Sequence, residues 1–312
     1  MSGMNPIFLE PVLQEKLWGG KLLREQFGYD IPSEHTGECW AISAHPNGDC
    51  KIKNPEYAGQ TLSSLWREKP ELFGHTGGGE FPLLVKIIDA REDLSIQVHP
   101  DDAYARVHEN GSLGKTECWY VLDCAPGATI IIGHNAESPA QLREMAEQGR
   151  WRELLREVPI RKGDFFQIDP GCLHAIKGGT LILETQQSSD VTYRFYDYGR
   201  LENGKPRPLH LEQSLAVTQA PFRPHPTDRE TIREGGAQVE KLVACPCYTV
   251  YRAVVDGRWE RDWEKPFVNV SVLDGEGVLD GHPVRKGGHF LLPAGYGRMA
   301  LEGRLELICS HL

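Results

Sequence analysis

Four side chains sit on strand-like segments with a spacing suited to holding a metal ion. Gln97 and His99 stand two apart on LSIQVHP (94–100), and the strand period turns both to one face. Glu117 opens the next apolar run, and His174 follows a Pro170-Gly171 corner on a third segment. Two imidazoles, a carboxylate and an amide oxygen converging from neighbouring strands suit zinc or another borderline first-row divalent ion. Taken singly, each has a plainer role. Gln97 fits a solvated strand residue, His99 a turn histidine before Pro100, Glu117 an edge charge, and His174 a hydrogen-bonded core histidine. The case for a metal centre lies in the combination. Lys115, two residues before Glu117, shares its strand face. In a cleft beside a dication its pKa would fall toward neutrality, which makes it a proton-transfer candidate. Its plainer role is a surface lysine in the GSLGK turn. Glu184, closing TLILE, is the alternative base.

The elements that must position these groups are mostly strands. PLLVKII (82–88), CWYVLDC (118–124), ATIIIG (128–133), DFFQIDP (164–170) and TLILETQ (180–186) are short apolar, β-branched runs cut by Gly, Pro, Asn and Asp, the pattern of a mainly β protein. One helix interrupts them. Ser138-Pro139 reads as an N-cap with Pro at the first helical position, followed by helical periodicity through QLREMAEQGRWRELLREV, which Gly149 can split. Shorter helices are expected within Leu62 to Glu68 and Leu13 to Phe27.

There is also an internal echo. The run 119–123 leads, after the helix, to Gly163 and a strand closed by Pro170-Gly171, while 269–274 leads to Gly287-Gly288 and a strand closed by Pro293 and Gly295. This suggests two related β units, the second without metal residues. HPTDRETIREGGAQ (225–238) is the candidate linker, dividing a catalytic domain over 1–224 from a smaller β domain over 239–312. GHTGGGE (74–80) lacks a following Gly-Lys-Ser/Thr and reads as a flexible surface turn rather than a phosphate loop.

At 312 residues and a net charge of −10, the chain can bury a full core but has no broad attraction to nucleic acid or anionic membranes. Neither kind of partner is expected, and a phosphorylated ligand would need locally placed Lys and Arg. No apolar run approaches membrane-spanning length, and the start of the chain shows no signal-peptide pattern, so a cytoplasmic location is expected. In that setting the eight cysteines are expected to be free thiols.

LSIQVHPDD, GKTECWYVLD, PGCLHAI and TYRFYDYGR closely resemble motifs of class I mannose-6-phosphate isomerases in their shorter bacterial form. EKLWGG, GECWAISAHP (37–46) and PLLVKIID (82–89) are similar as well. The resemblance runs in order from about Pro6 to Arg200. It implies a pair of cupin-type β jelly rolls, the first with a helical insertion and the second degenerate. It also implies one zinc ion per chain on Gln97, His99, Glu117 and His174, and a small sugar phosphate as partner; the oligomeric state stays open. It further places Arg194 in the active site, with Ser95 and Lys86 near the substrate's phosphate end. Arg194 could instead pair with nearby Asp197. Aldose–ketose isomerisation builds charge on enediolate oxygens, which asks for a Lewis acid, a proton shuttle and a cation. Two other functions fit a cupin: an iron oxygenase, against which a Gln ligand speaks, and a non-catalytic sugar-binding protein, against which the retained Lys115 and Arg194 speak.

Overall fold

A computed structural model describes residues 4–76, 78–202, 204–226 and 229–312. Gly77, inside the GHTGGGE run, lies outside the described residues, as do Thr227 and Asp228 of the expected linker. The protein is mainly β. Among the described residues no helix is long and apolar enough to cross a membrane.

Two antiparallel sheets carry the candidate site residues. A six-stranded sheet runs in the order Phe165–Ile168, Glu117–Cys124, Thr180–Gln187, Leu83–Ala90, Val12–Gly20, Thr36–Ile42. A five-stranded sheet runs Tyr193–Tyr196, Ile96–Val98, His174–Ile176, Thr129–His134, Leu155–Pro159. Strand alternation sorts their side chains into separate cores. Ile88, Trp119, Val121 and Ile182 of the first sheet meet Ile130, Ile132 and Ile176 of the second in a shared core between the sheets. The alternate residues Ile96, Val98, Ala175 and Phe195 point outward and are covered by Leu142, Met145 and Leu154 of the helical insertion. On the other side, Cys39, Val85, Ile87, Cys118 and Leu183 pack with Leu242, Val250, Phe267 and Leu291 of the C-terminal sheet.

That C-terminal sheet has nine strands and takes two of them from the N-terminal part of the chain. Ile7–Glu10 pairs with His289–Pro293, in register Ile7 to Leu291, and also with Lys51–Ile52. The division at 224 and 239 is therefore crossed by main-chain hydrogen bonds. The internal echo has a structural counterpart. Phe165–Ile168 folds back on Glu117–Cys124, and His289–Pro293 folds back on Phe267–Leu279 in the same antiparallel sense.

Two local expectations need correction. The helical insertion does break at Gly149, whose φ of 65° favours glycine, giving Pro139–Glu147 and Trp151–Leu154. The tail read as helical, however, becomes the strand Leu155–Pro159, because Thr129–His134 offers it a sheet edge. The expected short helices are present as Leu62–Glu68 and, after the strand Val12–Gly20, Leu22–Phe27. The linker segment contains the strand Glu230–Glu234, paired with Ala237–Ala244. In both corrected segments a partner strand overrides the local pattern.

Candidate metal centre and cleft

His174 opens a short strand and lies directly across from Gln97, which in turn lies across from Arg194 on the next strand. Directly opposed residues of an antiparallel pair share a face, so the three form a row on the inner side of the five-stranded sheet. His99 follows two residues after Gln97, and Ser95 precedes it by two, on that same side. The facing sheet supplies a second row, Trp40, Lys86, Glu184 and Trp119, each paired to the next. Glu117 stands two residues before Trp119, on the same face.

The turns that hold these strands are tied to one another. The Gly171 N–H donates to His99 O at 2.9 Å, and the Lys115 N–H donates to Pro100 O at 3.0 Å. Glycine is required at both corners. Gly171 has a φ of 84°, and a Cβ there would lie 2.8 Å from Val217 O; a Cβ on Gly114 would lie 2.4 Å from the Asp101 carbonyl carbon.

His99, Glu117 and His174 converge, with one ligand atom from each within 4.8 Å of the others. His99 Nε2 lies 3.5 Å from Glu117 Oε2, and His174 Nε2 lies 3.4 Å from Glu117 Oε1. All three are buried. The opposite ring nitrogens are committed, since Nδ1 of His99 donates to Val191 O and Nδ1 of His174 to Cys172 O, both at 2.8 Å. A carbonyl can only accept, so each imidazole is held with its Nε2 lone pair facing Glu117. Glu117 Oε1 and His174 Nε2 are buried without a hydrogen-bond partner. Such orphaned atoms cost free energy unless something binds them. A divalent cation satisfies both and matches the donor set. Gln97, in the row beside His174, lines the adjoining cleft.

The electrostatics favour the ligand forms a metal needs. Burial, followed by the charge of Lys115, pushes His99 down to about 3, so its ring is neutral. Burial likewise lowers His174. For Glu117 burial alone would raise the pKa, but the Lys115 ammonium above all holds its carboxyl well below the usual range. Lys115 is held charged by its acidic neighbours. Burial lowers its pKa, yet Glu117 and Glu184 outweigh burial and raise it above the ordinary lysine value. Its Nζ sits 2.7 Å from Glu117 Oε2 and 3.2 Å from His99 Nε2, so it reaches the ligand atoms themselves.

Beside the triad opens a cleft of about 480 Å³ whose lining includes Lys86, Ser95, Gln97, Lys115, Glu184 and Arg194. The structure thus gathers the sequence-predicted residues around one space. Glu184 accepts from Trp119 Nε1 at 3.0 Å and lies 3.5 Å from Lys86 Nζ; burial and then Glu117 raise its pKa. Arg194 donates through Nη1 to Pro208 O at 2.9 Å, while its Nε has no partner. It does not pair with Asp197, whose carboxylate is taken by Arg200 and by Arg207 at 2.7 Å.

Trp40 and Glu38 line the cleft and the buried Trp119 backs His174, and all three are missed by residue-type reasoning. Trp119 lies edge-on to His174 at 5.5 Å between centroids, and Lys86 Nζ lies 5.1 Å from the Trp40 ring centroid. Trp40 Nε1 donates to Glu38 at 2.7 Å. A signal for them exists, because the tripeptide Glu-Cys-Trp occurs twice, at 38–40 and 117–119. In both copies alternation sends the cysteine into the core behind the sheet and leaves Glu and Trp on the inner face.

Comparison with known proteins agrees with this geometry. Residues 7–120 match the phosphomannose isomerase type I catalytic domain, and residues 238–312 match the mannose-6-phosphate isomerase cupin domain. A mannose-6-phosphate isomerase of Bacillus subtilis is 49% identical over 99% of both chains. One of Streptococcus mutans is 47% identical over 98% of both. The crystal structure of a B. subtilis mannose 6-phosphate isomerase superposes with a TM-score of 0.97 at 47% identity, covering 99% of this chain and 100% of that one. A phosphomannose isomerase structure from Salmonella typhimurium, at 17% identity and a TM-score of 0.77 over 99% of both chains, shares the fold. With a buried His-Glu-His triad at the meeting of two sheets and both family domains matched in order, the chain belongs to the type I phosphomannose isomerase family.

Proposed function

We propose that this chain interconverts mannose 6-phosphate and fructose 6-phosphate in the cleft beside Glu117, with one zinc ion held by Gln97, His99, Glu117 and His174. The observation that carries this reading is the triad's preset geometry. Both imidazoles are locked through Nδ1 to carbonyls, and their Nε2 atoms meet a buried carboxylate that lacks enough partners. Family membership supplies the reaction. The zinc, when bound, supplies Lewis-acid stabilisation of negative charge on the sugar's C1 and C2 oxygens.

The remaining work falls to the chain's own residues. Lys115 is the proposed proton carrier between C1 and C2, because its Nζ is buried and reaches the ligand atoms. A dication nearby disfavours the ammonium and brings Lys115 toward a pKa useful for a base. Glu184 is the alternative carrier. Burial and the neighbouring Glu117 carboxylate raise its pKa from the ordinary value, the direction that strengthens a carboxylate as a base. Arg194, held by Pro208 O, presents its guanidinium to the enediolate charge. Lys86 and Ser95 take the phosphate end, with Glu184 and the Trp40 ring fixing the Lys86 ammonium. The same reading places the enzyme in the cytoplasm and makes both β units cupin-type jelly rolls, consistent with the repeated strand pairing.

The test is a coupled isomerase assay on chelated protein and on the same protein after zinc is restored. Activity should vanish on chelation and return with zinc. Full activity in a preparation shown to be metal-free would sink the reading.

A further inference from the structure

The chain carries a net charge of −10, yet one cleft outside the candidate site is lined by cations without a carboxylate among its described lining residues. It measures about 580 Å³ and lies where the N-terminal strand and the Phe27–Tyr29 segment meet the Pro283–Phe290 segment. Lys53, Arg285 and Lys286 reach its wall. Among the described residues Lys53 and Arg285 have no acidic partner, and Lys286 meets only the exposed Asp274 at 3.4 Å. In so acidic a protein, two cations without matching acids beside a third that meets only one exposed carboxylate concentrate positive potential and favour an anion.

The rest of the lining is built for more than an inorganic ion. Phe27 and Tyr29 stack with centroids 5.6 Å apart and planes 6° apart, and Lys286 Nζ lies 5.2 Å from the Phe27 ring centroid. Phe8 adds a third ring to the lining. These surfaces suit a planar base or the apolar face of a sugar ring. Tyr29 is fixed in turn by a buried polar chain. Its Oη donates to Gly287 O at 3.1 Å and lies 2.7 Å from His289 Nε2, while His289 Nδ1 lies 3.0 Å from Ser271 Oγ. Gly287 keeps this part of the cleft open, since a Cβ there would lie 3.2 Å from Tyr29 Oη on a backbone with φ of 80°.

We propose that this cleft binds a phosphate monoester, with the phosphate on Lys53, Arg285 and Lys286 and the organic body against Phe27 and Tyr29. The site is separate from the catalytic cleft and does not depend on what reaction occurs there. Nucleotides and sugar phosphates share this chemistry.

Calorimetric titration of the full chain with AMP, ribose 5-phosphate and inorganic phosphate tests it. At least one organophosphate should bind with a dissociation constant of about 1 mM or lower, more tightly than inorganic phosphate and less tightly as salt is raised. Lys53→Ala/Arg285→Ala, at two exposed positions, should weaken that binding about tenfold or more, whereas Lys86→Ala in the catalytic cleft should leave it unchanged. Tighter binding of AMP would assign the site to nucleotides, and tighter binding of ribose 5-phosphate to sugar phosphates; either supports the proposal. Binding that survives Lys53→Ala/Arg285→Ala, or inorganic phosphate matching both organic ligands, overturns it. The readout is affinity, so failure of the isomerase assay would leave this result intact.

Discussion

Gln97 and His174 are direct cross-strand partners, although 77 positions separate them in the chain. The antiparallel register puts an amide and an imidazole side by side on the inner face of one sheet. Glu117 faces them from the other sheet, so the centre bridges the two layers of the fold.

A first consequence concerns metal retention. His174→Ala and Glu117→Gln should each weaken binding of the proposed zinc ion by about a hundredfold or more, since even groups that only support ligands are worth about 10–100-fold. Elemental analysis of purified variants beside wild type reads this directly. A variant that keeps full metal occupancy under dilute chelator would remove that residue from the ligand set.

Lys115 should separate chemistry from metal binding. Lys115→Met is expected to reduce kcat by about 10²–10⁴-fold, the usual contribution of a positioned acid–base group, while metal content stays near wild type. Deuterium exchange from solvent into C2 of the substrate should fall in parallel. If exchange persists at the wild-type rate, Glu184 or another group carries the proton.

Arg194→Ala is expected to cost about 10²–10³-fold in kcat, the scale of losing a donor aimed at developing charge. Because its Nη1 contact is to Pro208 O and its Nε is unpartnered, removing it breaks no ion pair. Thermal stability should therefore change little, and a large drop in Tm with unchanged kcat would contradict the assignment.

His289 sets a pH dependence away from the metal centre. Burial, followed by the nearby Lys53 charge, holds its pKa down to about 3, against about 6.5 in the unfolded chain. Between those values the unfolded state binds more protons. The contribution of His289 is therefore fully present above about pH 6.5 and is lost progressively as pH falls toward 3, by up to about 1.4 kcal/mol per pH unit. Denaturant titrations at several pH values should show a shallower acid-side slope in His289→Gln than in wild type. Equal slopes would refute the argument.

The N-terminal strand should be structural for the far end of the chain. Ile7 is buried and pairs with Leu291 of the C-terminal sheet. Ile7→Ala is expected to destabilise by about 2–5 kcal/mol, the range for emptying a packed core position, with zinc affinity unchanged. Denaturant melts combined with metal analysis check both halves of the prediction.

The sequence alone determined the strand character of the site segments, the face shared by Gln97 and His99, the start of the inserted helix at Ser138-Pro139 and its break at Gly149. These are local properties, fixed by side-chain period and by Pro and Gly backbone preferences. The motifs around Gln97, His99, Glu117 and His174 also marked the family before any fold was known. Only the tertiary structure decided the rest. Val12–Gly20 and Leu155–Pro159 are strands because neighbouring edges complete their hydrogen bonds, whatever their local pattern suggests. The pKa of Lys115 depends on Glu117 and Glu184 outweighing burial, a balance of distances that no spacing encodes. Arg194 is free of Asp197 because Arg200 and Arg207 reach that carboxylate instead. Trp119 and Trp40 share a face through the register of their strands, and the repeated Glu-Cys-Trp tripeptide has its meaning only in the tertiary structure, which puts both cysteines in one core and both tryptophans on the inner face of one sheet.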